Sequence, residues 1–396
     1  MRLQRLARGA VLLLALLTGA AGAGAGPVDF TPAERQRILS LGPWPPPTTR
    51  DAGNAVAGQA DAVTLGRRLF FDPRLSADGS RSCASCHVPA LAFTDGRARA
   101  IGRDTLDRNT PTLWNASHER WYGWDGAADS LWSQALRPLL DPREMAADRG
   151  HLSRVVADDA DLACRWRRTF GRSPAIDDER TLVELGKAIG AFVGSLVSAR
   201  TPFDDFRDAL KRGDVRAAAR YPAAAQRGLK LFVGRGRCQL CHGGPRFSHG
   251  EFADIGVPFF VRPGVVDPGR HAGIQALVAS PYNLLSPWSD ERDGAASVKT
   301  RHVLAQHRNF GEFKVPSLRN VAETAPYMHA GQYATLADVV QHYSALNLDR
   351  LHADGEQILE PLRLTAAEAA DLVAFLGTLS DPAARRWQAP PAPRCR

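Results

Sequence analysis

The sequence carries one pentapeptide pattern twice, Cys83-Ala84-Ser85-Cys86-His87 and Cys238-Gln239-Leu240-Cys241-His242. Two cysteines three positions apart reach the two vinyl groups of one porphyrin, and the next histidine supplies a nitrogen to its iron. A zinc site would need four ligands at each motif or a pairing of the two motifs. A redox Cys-x-x-Cys has no need of histidine at the following position, and here it occurs twice. The pattern therefore assigns two covalently attached haem c groups. Cys83, Cys86, Cys238 and Cys241 hold them, and His87 and His242 ligate the irons.

The surroundings of the motifs repeat too. Gly66-Arg-Arg-Leu69-Phe70 precedes the first and Gly228-Leu-Lys-Leu231-Phe232 the second, each reading as an amphipathic helix. From Thr181, Leu182, Leu185, Ile189, Phe192 and Leu196 recur at helical spacing until Thr201-Pro202. Thr335-x-x-Asp338 and Thr365-x-x-Glu368 are capping boxes that open helices over 335–346 and 365–379. Residues 262–300 are rich in Pro, Gly and Ser and predict a long surface insertion. The Pro-rich stretches 42–49 and 389–393 read as extended arms. The expected fold is mainly α, with two cytochrome c-like haem domains, long loops and little β structure. The expected division is 27–206, 207–350, and a C-terminal helix and tail, 351–396, packing back on either domain.

Residues 1–26 join a basic start (Arg2, Arg5, Arg8) to a short apolar run and small residues, the pattern of a cleaved signal peptide. The run falls short of the roughly 20 residues of a spanning helix. A periplasmic chain with no membrane span is expected. Its charge of +8 falls to +5 (8 − 3) without that leader. No binding motif or dense Lys/Arg run points to nucleic acid, and the mild basic excess suits an acidic electron-transfer partner. Cys164 and Cys395 lie outside the motifs, free to pair in an oxidising compartment or to remain thiols.

Several ordered blocks spread over most of residues 60–380 resemble the bacterial dihaem cytochrome c peroxidase and MauG superfamily. They are Leu65-Gly-Arg-Arg-Leu-Phe-Phe-Asp-Pro-Arg-Leu-Ser-x-Asp-Gly79, Ala92-Phe-Thr-Asp-Gly96, Arg108-Asn-Thr-Pro-Thr112, Trp124-Asp-Gly126, Gln134-Ala135 through Glu144-Met145, Phe313-Lys-Val-Pro-Ser-Leu-Arg-Asn320 and Pro326-Tyr-Met-His-Ala-Gly331. The resemblance implies that Gln134 and Glu144 line the distal face of the first haem, with Glu144 as the base and Pro138 shaping the pocket. It implies that Trp124 lies between the haems as a relay. It gives Tyr343 as the sixth ligand of the second haem, the MauG-like choice, with Met328 as the alternative. Helical spacing agrees: Leu336, Val339, Val340 and Tyr343 share a face, and His342 is turned about 100° away, outward. Asn109, Thr324 and Pro326 match a structural calcium site. His329 matches a pocket residue, although Ala330 replaces the usual Asp after it.

In many resting family peroxidases a loop histidine blocks the first haem. The corresponding loop here, Val88 to Asp107, contains no histidine, so an open first iron without reductive activation is expected. The leading functional expectation is reduction of hydrogen peroxide, with electrons entering at the C-terminal haem from a small cytochrome c or copper protein. The alternative is a MauG-like oxidase acting on residues of a partner protein. A non-enzymatic electron carrier comes third, because it has no need of Gln134 and Glu144 over an open iron. Family peroxidases are often dimers, which makes a homodimer the expected assembly where one forms.

Overall fold

The computed structural model describes residues 28–47, 51–258, 260–351, 354–355, 358–391 and 393–395. The signal peptide read from residues 1–26 lies outside them. The fold is mainly α, as expected. Among the described residues the strands form two antiparallel pairs, Phe252–Ala253 with Phe313–Lys314 and Phe260–Arg262 with Val265–Val266. No described helix is long and apolar enough to cross a membrane.

Each motif follows a helix whose buried residues fall at three-to-four spacing. They are Ala62, Leu65, Gly66, Leu69 and Phe70 in Ala60–Phe70, and Ala225, Gln226, Gly228, Leu229, Phe232 and Val233 in Ala223–Val233. Each of these helices crosses a later one, Glu179–Gly194 in the first lobe and Ala366–Gly377 in the second. Glycine closes both crossings. A Cβ on Gly66 would stand 1.8 Å from the Ala188 carbonyl oxygen, and one on Gly228 2.0 Å from that of Asp371. Only a residue without a side chain admits so close an approach. Leu65, Phe70, Phe93, Trp132 and Phe192 build the first core around this point. Phe203, Leu229, Phe232, Phe247 and Phe375 build the second.

The capping boxes at Thr335 and Thr365 form as expected, opening Leu336–Ser344 and Ala366–Gly377. Glu179–Gly194 is buried on all sides from Thr181 to Val193, rather than along the single stripe its periodicity suggested. The reason is a second partner: Gly186 and Gly190 pack against Trp132 in the helix Leu131–Leu140.

Neither lobe is a contiguous segment. The helix Pro32–Ser40 sends Ile38 into the second core, as do Phe203 and Phe206 from Pro202–Arg212. After Ala366–Gly377 the chain returns to the first lobe. There Trp387 stacks on Phe71 with ring centroids 6.0 Å apart, Trp114 Nε1 donates to the Ala384 carbonyl at 3.2 Å, and Cys395 forms a disulfide with Cys164. Residues 262–300 are also more than a surface insertion. They include the helix Arg270–Ala279, whose Arg270, Gly273, Ile274 and Leu277 are buried. A Cβ on Gly273 would lie 2.1 Å from the Asp125 carbonyl oxygen.

The repeat extends well beyond the motifs. From Pro111 to Leu139 the first lobe matches Pro316 to Ser344 without a gap at an offset of 205, pairing Pro111/Pro316, Asn115/Asn320, Tyr122/Tyr327 and Gly126/Gly331. The geometry matches pair by pair. Asn115 and Asn320 have φ of 66° and 62°, and their N–H groups donate to Leu196 and Leu379, just past the crossing helices. Tyr122 and Tyr327 bridge Ala128 and Tyr333, and their hydroxyls donate to the Ala116 and Val321 carbonyls. Ser130 and Thr335 then cap equivalent helices.

Placing alanine at Gly66 or Gly228 should overpack the crossing and cost about 1–3 kcal/mol. Calorimetry of the haem-loaded protein would register this as a lowered unfolding midpoint; an unchanged midpoint would contradict the crossing as described.

Candidate haem sites

A histidine that gives one ring nitrogen to iron is oriented by what binds the other. His87 Nδ1 lies 3.0 Å from the Phe93 carbonyl oxygen, and His242 Nδ1 lies 3.0 Å from that of Phe247. Both phenylalanines adopt positive φ, 60° and 55°, which turns their carbonyls back toward the ring. A hydroxyl pins each turn: Thr112 Oγ1 donates to the Ala92 carbonyl and Ser317 Oγ to the Arg246 carbonyl, both at 2.6 Å. Burial lowers both imidazole pKa values, that of His242 to about 4, despite favourable dipoles from the Phe carbonyls and from Pro111 and Pro316. Each ring is thus neutral with Nε2 available, the state a metal ligand needs.

The haem c groups that the motifs imply fit these cradles. A cavity of about 1340 Å³ in the second lobe is lined by Cys238, Cys241, His242, Met328, Tyr343 and, from the first lobe, Trp124. The Tyr343 side chain is half-buried, and its hydroxyl has no protein hydrogen-bond partner among the described residues. Burial, with Cys238 and Cys241 nearby, pushes its phenol well above the usual range. Met328 has φ of 71°, at the position that Gly123 holds in the first lobe. His342 is turned away from the cavity but is half-buried, not solvent-facing. Its Nδ1 lies 3.0 Å from the Tyr333 hydroxyl and its Nε2 2.8 Å from the Ile255 carbonyl oxygen, so neither nitrogen is free for iron.

In the first lobe Gln134 and Pro138 sit half-buried on Leu131–Leu140. Gln134 Oε1 is buried without a protein partner among the described residues, an acceptor awaiting a donor. Burial, with Asp141 nearby, raises the Glu144 carboxyl to about 7 against the pull of Arg137 and Arg143. Its charge is felt at both Cys83 and Cys86. The loop 88–107 holds the Glu144 backbone in place. Arg103 N donates to the Glu144 carbonyl at 3.1 Å and Asp104 N to that of Arg143 at 3.0 Å, while the Arg143 guanidinium binds Asp107 at 2.7 Å.

Between the lobes Trp124 Nε1 donates to the Asn109 carbonyl at 2.9 Å, and Lys314 N donates to the Trp124 carbonyl at 2.8 Å. Asn109 N donates to the His329 carbonyl at 2.7 Å. Asn109 Nδ2 is spent on the Arg97 carbonyl, and among the described residues the Thr324 and Pro326 carbonyls accept no hydrogen bond. No cluster of three or more His, Cys, Asp or Glu among the described residues could hold a metal. His329 is buried and stacks on Phe313 at 3.6 Å, and burial lowers its pKa to about 4. Its Nε2 lies 3.2 Å from Gln332, which serves it where Ala330 offers nothing.

Sequence reasoning missed the residues that tie the lobes together. Arg108 clamps Asp267 at 2.7 Å and Asp125, next to Trp124, at 2.6 Å. Arg270 lies between the rings of Trp121 and Phe252, 4.3 and 4.0 Å from their centroids, and donates to the Asp125 and Gly126 carbonyls. Arg108 sat in a recognised block, but its partner Asp267 belongs to the stretch taken as surface insertion.

Two lobes of one design, each carrying a Cys-x-x-Cys-His cradle, define a dihaem c-type cytochrome. The di-haem cytochrome c peroxidase family matches residues 60–212. The chain is 34% identical over 377 residues to the cytochrome-c peroxidase IdrP2 of Pseudomonas sp. (strain SCT), covering 94% of this chain and 91% of that one. It is 35% identical over 327 residues to the methylamine utilization protein MauG of Methylorubrum extorquens, covering 82% and 80%. A solved MauG-like protein associated with microbial copper homeostasis superposes with a TM-score of 0.66 at 27% identity, over 87% of this chain and 97% of that one. The diheme peroxidase BthA from Burkholderia thailandensis shares the fold, with a TM-score of 0.64 at 24% identity over 85% and 94%. The chain belongs to the di-haem cytochrome c peroxidase and MauG family and is an oxidoreductase of the peroxidase type.

Burial pushes the Asp125 carboxyl up, but the Arg108 charge and hydrogen bond outweigh it and hold it below the usual carboxylate range. Arg108→Met would strand Asp125 and Asp267, each largely buried, at a cost of about 3–5 kcal/mol near neutral pH. An Asp whose folded pKa is depressed stabilises above its unfolded value of about 3.9 and loses that contribution as pH falls through the folded value. The deficit of the variant should therefore shrink below about pH 4. Unfolding midpoints of both proteins across pH check this; a pH-independent deficit would contradict it.

Proposed function

We propose that this protein reduces hydrogen peroxide at the first haem, with electrons entering through the second and passing by Trp124. The observation that carries the reading is the difference between the two distal sides. The first offers the carboxylate of Glu144 and the unpartnered amide oxygen of Gln134, whereas the second offers the phenol of Tyr343. Bound haem supplies the redox iron at which the peroxide O–O bond breaks. The chain supplies the proton traffic. Glu144, poised near neutral pH, takes a proton from peroxide, and Gln134 accepts a hydrogen bond from it. Two electrons and two protons complete the conversion of peroxide to two waters. Tyr343 would offer its phenol oxygen to the second iron, with Met328 as its rival. Asn109 Oδ1 and the carbonyls of Thr324 and Pro326 would hold calcium, a hard cation suited to such oxygens. The setting is the periplasm, and the donor is a small cytochrome c or copper protein.

The second reading is MauG-like oxidation of a partner protein, favoured by the phenol at 343. Axial ligands shift haem potential over roughly 0.8 V, and a phenolate makes the second haem a poor acceptor from a high-potential donor. Adding peroxide to the purified protein together with reduced small cytochrome c separates the readings. Catalytic oxidation of the cytochrome is the peroxidase outcome; a long-lived oxidised protein with little cytochrome turnover is the MauG-like one.

Since Glu144 acts as a base, the peroxide reaction should speed up with rising pH, with a midpoint near 7. Glu144→Gln should slow it by about 10²–10⁴-fold, remove that pH dependence and leave the haem spectra intact. Stopped-flow rates that match the parent would remove Glu144 from the mechanism.

A further inference from the structure

The segments that leave the two closing helices change places. Ala188 and Asp371, which meet the crossing glycines, Phe192 and Phe375, and Leu196 and Leu379 correspond at a constant offset of 183 (379 − 196). The next step keeps it: Ser198 N donates to Asn115 Oδ1 and Asp381 N to Asn320 Oδ1, each at 2.9 Å. Five residues beyond Ser198 stands Phe203, and six beyond Asp381 stands Trp387. Here each segment has crossed to the other lobe. Phe203 packs on Phe247 at 5.1 Å and on Phe375 at 6.0 Å, in the second core. Trp387 packs on Phe93 at 5.4 Å and on Phe192 at 6.0 Å, in the first. Phe93 and Phe247 are the residues whose carbonyls face His87 and His242. Each cradle is therefore backed by an aromatic ring from the end of the other lobe.

The two rings are held differently. Phe203 is fully buried in the helix Pro202–Arg212. Trp387 is half-buried on an irregular tail, which Cys395 fastens by its N–H to Asp161 Oδ1 at 2.6 Å and by its disulfide to Cys164. Phe93 needs the backing, because its φ of 60° lies in the left-handed region that bulky residues avoid. Trp114 is the second indole edge-on to it, at 5.3 Å, and the same tail holds Trp114 through the Ala384 carbonyl. We propose that Trp387 is a positioning residue for the first iron: packed on Phe93, it keeps the Phe93 carbonyl on His87 Nδ1. When Nδ1–H donates to a well-placed carbonyl, the imidazole becomes a more basic ligand. A Phe93 free to relax would weaken that bond, make His87 a poorer donor and stabilise the ferric iron less. The proposal rests on the reading of His87 as the proximal ligand of the first haem.

The test uses the haem-loaded full chain. Resonance Raman spectra give the iron–histidine stretch of the ferrous first haem, and a spectroelectrochemical titration gives the potential of each haem. Trp387→Leu should lower that stretch, raise the potential of the first haem and leave that of the second in place. The peroxide reaction should slow roughly tenfold, the small end of the losses that follow removal of a contact behind a metal-bound histidine. Trp387→Phe restores a ring and should bring stretch and potential back toward the parent. Should Trp387→Leu fail to fold, the double variant Cys164→Ser, Cys395→Ser unfastens the tail and should move the same two readouts in the same direction. A stretch and a first-haem potential equal to those of the parent, even with a lowered unfolding midpoint, overturn the proposal. So does an equal shift of both potentials. His87→Gly tests the underlying reading separately. Loss of the stretch there, with Trp387→Leu like the parent, sinks the proposal and spares that reading. A stretch retained in His87→Gly takes His87 off the iron and the proposal with it.

Discussion

The hydrogen bond between each motif histidine and a phenylalanine carbonyl is the constraint around which both lobes are organised. An imidazole held in this way is fixed in tautomer and plane before any metal arrives. To supply the acceptor, Phe93 and Phe247 must take the left-handed backbone region, which bulky residues avoid. The compensation is visible. Both rings are fully buried in their cores, and the residue before each has its carbonyl pinned by a hydroxyl from the Pro-Thr or Pro-Ser turn. That turn ends at Asn115 or Asn320, whose N–H is bonded just past the crossing helix, itself held close by Gly66 or Gly228. The cradle, the turn and the helix crossing therefore form one mechanical unit, present twice.

Given one frame used twice, function must come from what differs. The first lobe sets Gln134 and Pro138 on Leu131–Leu140 and holds the Glu144 main chain with the backbone of loop 88–107. The second replaces that loop with the longer run from His249 to Val315, which brings Arg270 and Lys299 to the cavity wall. Neither cation makes an ion pair among the described residues. Burial lowers Arg270 to about 10 and Lys299 to about 8. The face of Trp121, within 4.3 and 5.0 Å of the two, and several backbone carbonyls stand in for a counter-ion. Positive charge held at this wall would favour the reduced state of a haem in the cavity electrostatically, whereas a phenolate ligand, as proposed for Tyr343, would pull in the opposite direction.

What was legible in the sequence was what local chemistry writes. The motifs, the capping boxes at Thr335 and Thr365, and the apolar spacing of the helices each depend on residues within a few positions of one another. The two-lobed helical fold follows from them. The constant offset was harder to see, because packing has preserved only Pro, Leu, Asn, Tyr and Gly at scattered positions, while geometry preserved the rest. The roles of Gly66 and Gly228 were in plain view beside the Leu-Phe pairs, but a glycine shows a close crossing only once its partner helix is known. The docking of Ile38 into the second core and the burial of Arg270 are contacts between distant segments, and nothing in a single sequence marks the partner; for the Cys164–Cys395 bridge the count of cysteines left a partner in view but not whether the two ends meet. The weakly patterned stretch 262–300 misled for a related reason: its helix is short, and its anchor, Gly273, matters only against Asp125.

These distant contacts share one consequence for electron transfer. Trp124 is tied at Nε1 to the segment that leads to Pro111, beside His87, and at its carbonyl to the segment that leads to Pro316, beside His242. Any sliding of one lobe against the other would break one of these bonds and change the distances on which the relay proposed for Trp124 would depend. Arg108, joined to Asp125 and Asp267, opposes that sliding at the indole itself. Asp381 opposes it at the far side, where its N–H donates to Asn320 Oδ1 and its carboxylate accepts from Ala199 N. The returning tail, fastened by its disulfide, adds a third restraint. A rigid interface is what the relay proposed for Trp124 would require. The chain ends that cross between lobes supply it, because two lobes joined by a single linker would be free to move independently.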